Sequence, residues 1–224
     1  MGEPLETHYN GCLYRSRLEA RWAVFFDTLG VPYEYQHAGF ALEGVWYHPD
    51  FWLPAQQCWV VITGPPATPA EQKQAFLLAL YTEHPTYLFA GEEGSIRAPG
   101  RAAAPPVAYR YLPVPDVWDN VPLFGWGECP YCRAVGLEWV QGDEFLPCGC
   151  LQQHVPQVSV LKITGGEGIQ DRPGERIDVA VAHRFWWEAK VATGLSTTDS
   201  PRLKAAYAAA RQARFGDGER GEQG

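Results

Sequence analysis

An α/β (α+β) fold is predicted by three features of this chain. Residues 14–29, YRSRLEARWAVFFDTL, put Leu18, Trp22, Phe25, Phe26 and Leu29 on one stripe, the repeat of an amphipathic helix. Residues 32–63 then hold three aromatic or apolar runs of strand length. A second helix over 69–83 and a fourth strand over 86–91 follow, so the order is helix, three strands, helix, strand.

Each element has a local cause. Gly30 is a stop signal for the first helix and Pro32 prevents its continuation. PYEYQH (32–37) is aromatic and alternating, VWYHPDFWL (45–53) is aromatic throughout, and CWVVIT (58–63) is an apolar run of the buried-strand type. GPPATP breaks the pattern, and Thr68 and Pro69 read as the N-cap and first-turn proline of the helix PAEQKQAFLLALYTE. TYLFAG (86–91) is the fourth strand. Residues 92–106, rich in Gly, Ala and Pro, read as a loop or linker, and YRYLPVPDVW offers a last strand. Residues 174–192 are predicted helical, with Ile177, Val181 and Phe185 four residues apart. SPRLKAAYAAARQARF (200–215) is predicted as a helix capped by Ser200 with Pro201 at its first position. The tail GDGERGEQG has the composition of a disordered end, and no internal repeat is present. The expected organisation is a core domain over 1–115, a cysteine-bearing module over 116–160 and a helical C-terminal region over 161–224.

With 46% apolar residues, the 224-residue chain can bury a core. Its nine Trp and eleven Tyr read as core filling. The net charge, 18 − 26 = −8, argues against a broadly basic nucleic-acid-coating protein but leaves room for a local basic groove. Arg outnumbers Lys fourteen to four, which reads as GC-rich coding rather than function. The stretch MGEPLETHYNGCLY lacks the apolar core and basic flank of a signal peptide, and Glu6 breaks the myristoylation pattern. No apolar run approaches the roughly 20 residues that span a bilayer. A cytoplasmic protein without membrane partners is expected, with its six cysteines binding metal or staying reduced.

Four of those cysteines have metal-ligand spacing. Cys129 and Cys132 (CPYC) are followed after fifteen residues by Cys148 and Cys150 (CGC). Zinc takes four soft ligands in a tetrahedron, and two tight turns presenting two thiolates each make a zinc ribbon. His154 is the alternative to Cys150, and GLEW and EFL are the candidate hairpin strands. Four protein ligands leave no open position, so this Zn²⁺ would be structural. Cys12 and Cys58 stand apart and read as ordinary buried cysteines.

RSRLEARWAVFFDTLGVPYEY and PDFWLP, with the strand WVVITG, resemble the PD-(D/E)XK nuclease superfamily. The likeness is greatest to small proteins of plasmids and prophages of GC-rich bacteria; it covers about residues 12–90, and the ending SPRLKAAYAAARQARF resembles the ends of the same proteins. The resemblance implies an α-β-β-β-α-β core, an Asp and a Glu holding Mg²⁺ or Mn²⁺, and a Lys that orients or activates water. Asp50 matches the family Asp, and Glu19 matches a helix acid that sometimes joins the site. Val61 stands at the Glu position and Thr63 at the Lys position. Side chains alternate along a strand, so both replacements fall on one wall. Valine cannot bind a hard cation and threonine cannot replace an ammonium, so lost hydrolysis is the direct expectation.

Two rescues stay open. Glu71 and Lys73, at the start of the second helix, would rebuild the site with Asp50 and Glu19 if they point back toward it. Alternatively Asp178, Glu188 and Lys190 mimic the motif's spacing later in the chain. Arg15, Arg17, Arg21, Arg202, Lys204, Arg211 and Arg214 are candidate phosphate contacts. Three functions compete: a catalytically degenerate nuclease-fold protein of a mobile element that binds DNA or a protein partner, a metal-dependent endonuclease with a migrated site, and a purely structural or interaction protein.

Overall fold

The computed structural model describes residues 5–91, 108–113, 124–129, 132–139 and 200–216. The chain opens with a hairpin, β1 (Thr7–Tyr9) and β2 (Cys12–Tyr14), turned by Asn10 and Gly11 at φ 49° and 76°. Asn-Gly suits that turn because both central residues need positive φ. Helix α1 (Arg17–Leu29) follows, with Ser16 accepting from the Glu19 N–H at its start and Gly30 in the left-handed region at its end. The helix therefore begins three residues later than the apolar stripe predicts, because Tyr14 is taken by strand pairing with Thr7.

Next come β3 (Glu34–Tyr35), β4 (Phe40–Leu42), β5 (Val45–Tyr47), β6 (Phe51–Leu53) and β7 (Cys58–Thr63). Helix α2 (Pro69–Thr82) leads to β8 (Thr86–Ala90), then β9 (Ala108–Tyr111), β10 (Phe124–Glu128), β11 (Val135–Trp139) and α3 (Pro201–Gln212). Among the described residues one mixed sheet runs in the order β11-β10-β9-β8-β7-β6-β3. Among the described strands only β7 and β8 pair in parallel, and α2 supplies the crossover that a parallel pair requires.

Two expected strands change shape. The 45–53 run splits in two: β5 closes its own hairpin with β4, and β6 joins the large sheet. Pro49, between them, has no N–H to continue a ladder. The 32–37 run keeps only its two central residues, which pair with Phe51 and Trp52.

The sheet has helices on both faces. On one, α1 and α3 cover Cys58, Val60, Phe51 and Leu53; on the other, α2 covers Trp59, Val61 and Leu88. Rings interlock on the first face: Phe25 lies 4.6 Å from Tyr207 and 5.7 Å from Trp126, and Phe26 lies 5.2 Å from Phe51. Burying one such ring contributes about 2–3 kcal/mol.

The described parts of the two expected later domains belong to this same core. GLEW forms most of β11, which pairs with β10 in the large sheet, while EFL lies outside the described residues. Helix α3 buries Leu203, Ala206, Tyr207 and Ala210 against α1. The predicted helix over 174–192, the Asp178–Lys190 motif and the tail beyond Gly216 lie outside the described residues. Among the described residues no helix is long and apolar enough to cross a membrane.

Candidate functional site

Asp50 sits just before β6, one step beyond the Phe51–Val60 pair. Its side chain is buried. Oδ2 accepts the Ile62 backbone N–H at 2.7 Å, and Oδ1 accepts from Arg15 Nη2. The carboxylate thus closes the end of the β6–β7 ladder, satisfying a backbone donor there.

Glu19 is the second buried acid. Its place in the first turn of α1 follows from the Ser-x-x-Glu spacing from the N-cap. Glu19 Oε1 accepts the Ser16 hydroxyl at 2.9 Å. Oε2 accepts the Tyr35 hydroxyl at 2.6 Å and lies 3.7 Å from Arg15 Nε. The Arg15 N–H in turn donates to the Tyr35 hydroxyl at 2.9 Å. One guanidinium and one phenol therefore tie the two acids together across β3, β6 and α1.

Burial pushes the Asp50 carboxyl up to about 7; the neighbouring Glu19 charge adds to this, and Arg15 and the Ile62 N–H oppose it. For Arg15 burial works against the charge, but Asp50 and Glu19 outweigh it and hold the guanidinium's pKa above its ordinary value. Tyr35 is raised by burial and by its bond to Glu19; Tyr47 is raised by burial and by Asp50. Both phenols stay protonated at neutral pH.

These acids do not fit a divalent metal. A hard cation needs several oxygens with open lone pairs. Each oxygen of Asp50 and Glu19 accepts one donor and keeps a second lone pair, so the obstacle to a cation is the Arg15 guanidinium lying against Asp50 Oδ1 and Glu19 Oε2.

The wall opposite is also closed. Val61 packs in the apolar cluster under α2 with Trp59, Leu78 and Leu88. Thr63, on the same face, donates its hydroxyl to Glu71. Glu71 Oε2 accepts the Thr68 N–H and hydroxyl, both at 2.7 Å, which completes a capping box. Burial works to raise the Glu71 pKa, but the donors on Thr63 and Thr68 outweigh it and the pKa is lowered. Glu71 is thus a helix cap linked to Thr63, and its hydrogen bonds among the described residues go to Thr63 and Thr68. Lys73 turns to Glu43 of the β4–β5 turn, 2.5 Å away, and does not point back toward Asp50.

The candidate phosphate contacts divide. Arg21 Nη1 donates to the carbonyls of Ala210 and Arg211 at 3.2 and 2.6 Å, at the C-terminal end of α3. Arg202 donates to the Leu29 carbonyl at 3.0 Å, at the end of α1, and pairs with Glu128 at 3.1 Å. α1 and α3 therefore run antiparallel, each stapled at its negative end by an arginine of the other. Arg15 faces the acids. Arg21, Arg202 and Arg15 thus have partners within the fold, although Arg15 and Arg202 stay partly exposed. Arg17 is half-buried, and Lys204, Arg211 and Arg214 are exposed.

Cys129 is buried and Cys132 exposed, at the turn joining β10 to β11. That turn is closed by Arg133 N–H to Cys129 O at 3.0 Å and Cys129 N–H to Ala134 O at 2.8 Å, with Arg133 at φ 64°. Cys148, Cys150 and His154 lie outside the described residues. Cys58 is buried and its thiol is pushed up to about 12 by that burial, which makes it inert. Cys12 is half-buried on the hairpin, not in the core as expected.

Sequence reasoning missed Tyr35, Tyr47 and Ser16. Ser-x-x-Glu was a readable signal for Ser16; nothing local marks the tyrosines. In scans against family models, curated proteins and solved structures the chain matches none.

Proposed function

We propose that this chain is a nuclease-fold protein whose hydrolytic site is degenerate, that it belongs to a mobile element, and that it binds DNA without cleaving it. The observation that carries the reading is the state of Asp50: both of its oxygens are engaged, one by Arg15 and one by the Ile62 N–H. Val61 and Thr63 support it, since one packs in the core and the other serves a helix cap. Helix, meander and parallel crossover strand are in the order the resemblance implies. The DNA part leans on that resemblance and on Lys204, Arg211 and Arg214, exposed on or just after α3. A structural Zn²⁺ on Cys129, Cys132, Cys148 and Cys150, or on His154 in place of Cys150, is part of the same proposal.

A protein partner is the second reading, favoured by Val45, Trp46 and Tyr81. These apolar side chains are 55%, 66% and 64% exposed. The Trp46 indole is held in place, donating to His48 Nε2 at 2.7 Å.

The test is a plasmid and oligonucleotide cleavage assay in Mg²⁺ and in Mn²⁺, wild type beside Asp50→Ala, with duplex binding followed at two salt concentrations. The expected outcome is no cleavage by either protein, and binding that weakens steeply with salt. Cleavage by the wild type that Asp50→Ala abolishes would overturn the degenerate-site reading. Absent or salt-insensitive binding would overturn the DNA part and leave the protein partner.

A further inference from the structure

We infer that Arg15 is the pocket's resident cation: its guanidinium takes the place against Asp50 and Glu19 that a divalent metal would need, so the wild-type pocket excludes metal and removal of Arg15 opens it. The inference deepens the reading of a degenerate site and rests on it.

Three observations carry it. The first is position. Arg15 Nη2 lies on Asp50 Oδ1 and Nε lies 3.7 Å from Glu19 Oε2, so one cation bridges two acids from different elements, as a metal bridging them would. The second is tethering. Arg15 stands one residue before the Ser16 cap, and its backbone N–H is held by Tyr35, which also holds Glu19. A cation fixed to the chain acts at a local concentration far above that of free metal, and a guanidinium does not lose its proton. The third is charge. Two carboxylates face one guanidinium, and no Lys or further Arg is placed on either acid among the described residues. The pocket would accept a replacement cation once the tether is gone.

Arg15 is therefore a second lock, independent of Val61 and Thr63. Restoring a glutamate and a lysine at those two positions would leave Asp50 Oδ1 still covered.

The experiment is a Mn²⁺ titration followed by electron paramagnetic resonance on the full chain. Mn²⁺ suits the test because thiolates such as Cys129 and Cys132 are poor ligands for a hard ion. Wild type, Arg15→Gln, Arg15→Gln/Asp50→Asn and Asp50→Asn are compared, with far-UV circular dichroism as the check on folding. The expected result is no saturable site in wild type up to millimolar Mn²⁺, one saturable site in Arg15→Gln, and its loss in the double variant. The tightening should be at least about 10-fold, the effect of removing roughly 1.4 kcal/mol of competing interaction. A saturable Mn²⁺ site in wild type that Asp50→Asn removes overturns the inference, and this arm needs no Arg15 variant to fold. A folded Arg15→Gln that binds no Mn²⁺ overturns it as well. Neither outcome depends on DNA binding or cleavage, so the two proposals fail separately.

Discussion

Two buried carboxylate sites anchor opposite ends of the large sheet, and they are built to opposite charge ratios. Glu128, at the end of β10, is 2% exposed and accepts two guanidiniums on Oε1, Arg133 at 2.9 Å and Arg202 at 3.1 Å. Asp50, also 2% exposed, shares a single guanidinium with Glu19. The first site is one acid with two cations, the second two acids with one. Arg202 moreover bonds the Leu29 and Arg133 carbonyls, so Glu128 is the centre of a clasp joining α1, α3 and the β10–β11 turn. A clasp with a spare cation tolerates the loss of one partner. A pocket short of positive charge does not, and burial then falls on the acid itself. The difference separates an acid that holds the fold from one whose presence costs stability at neutral pH.

The largest test of that contrast is removal of the arginines. Arg15→Ala should cost about 3 kcal/mol at pH 8, the low end for breaking a buried pair because Arg15 is half open to water. Arg133→Ala should cost about 1 kcal/mol, since Arg202 still neutralises Glu128. Urea unfolding midpoints measure both. Equal losses would break the comparison, and recovery of most of the Arg15→Ala loss on adding Asp50→Asn would sharpen it.

A smaller effect is set by pH. The Asp50 carboxyl is raised from 3.8 to about 7 in the fold, chiefly by burial and then by Glu19. Between those values the folded chain holds a proton that the unfolded chain has released. The Asp50 contribution is therefore complete below about pH 4 and is lost as pH rises toward 7. Glu71 has the opposite sign: its lowered pKa favours the fold above its ordinary value and loses that support as pH falls. The Glu71 window lies below its ordinary value of 4.5, so at higher pH only the Asp50 window remains. Stability followed from pH 5 to 8 should decline in wild type and stay flatter in Asp50→Asn; parallel curves would show that Asp50 is already ionised throughout.

The smallest is local. Glu71→Ala removes the capping box of α2 and the acceptor for Thr63, and should cost about 1 kcal/mol in a thermal melt while leaving the Arg15 pocket unchanged. A loss as large as that of Arg15→Ala would mean that Glu71 is coupled to Asp50 after all.

Helix ends were readable because caps act within one turn: Thr68 with Glu71, Ser200 with Pro201, and Gly30 each work through the backbone beside them. The apolar stripe of α1 was readable because burial repeats with the helix period. The turn of β1–β2 was equally written in Asn10–Gly11, but so short a hairpin has few apolar residues to draw attention to it. Where the cationic side chains go was not readable. Arg15, Arg17 and Arg21 share one stretch and one residue type, yet Arg15 turns to Asp50 and Arg21 to carbonyls some 190 residues along the chain. An arginine's length lets it reach any of several acceptors, and the choice among them depends on which distant elements pack beside it.

The amino-acid order alone thus dictates the local units, because propensity, capping and alternation act over a few neighbouring residues. It also dictates that Val61 and Thr63 share one face of their strand. Folding adds what no neighbour specifies: that Asp50 and Glu19 meet, that one arginine lies between them, and that burial leaves their charges unscreened by water.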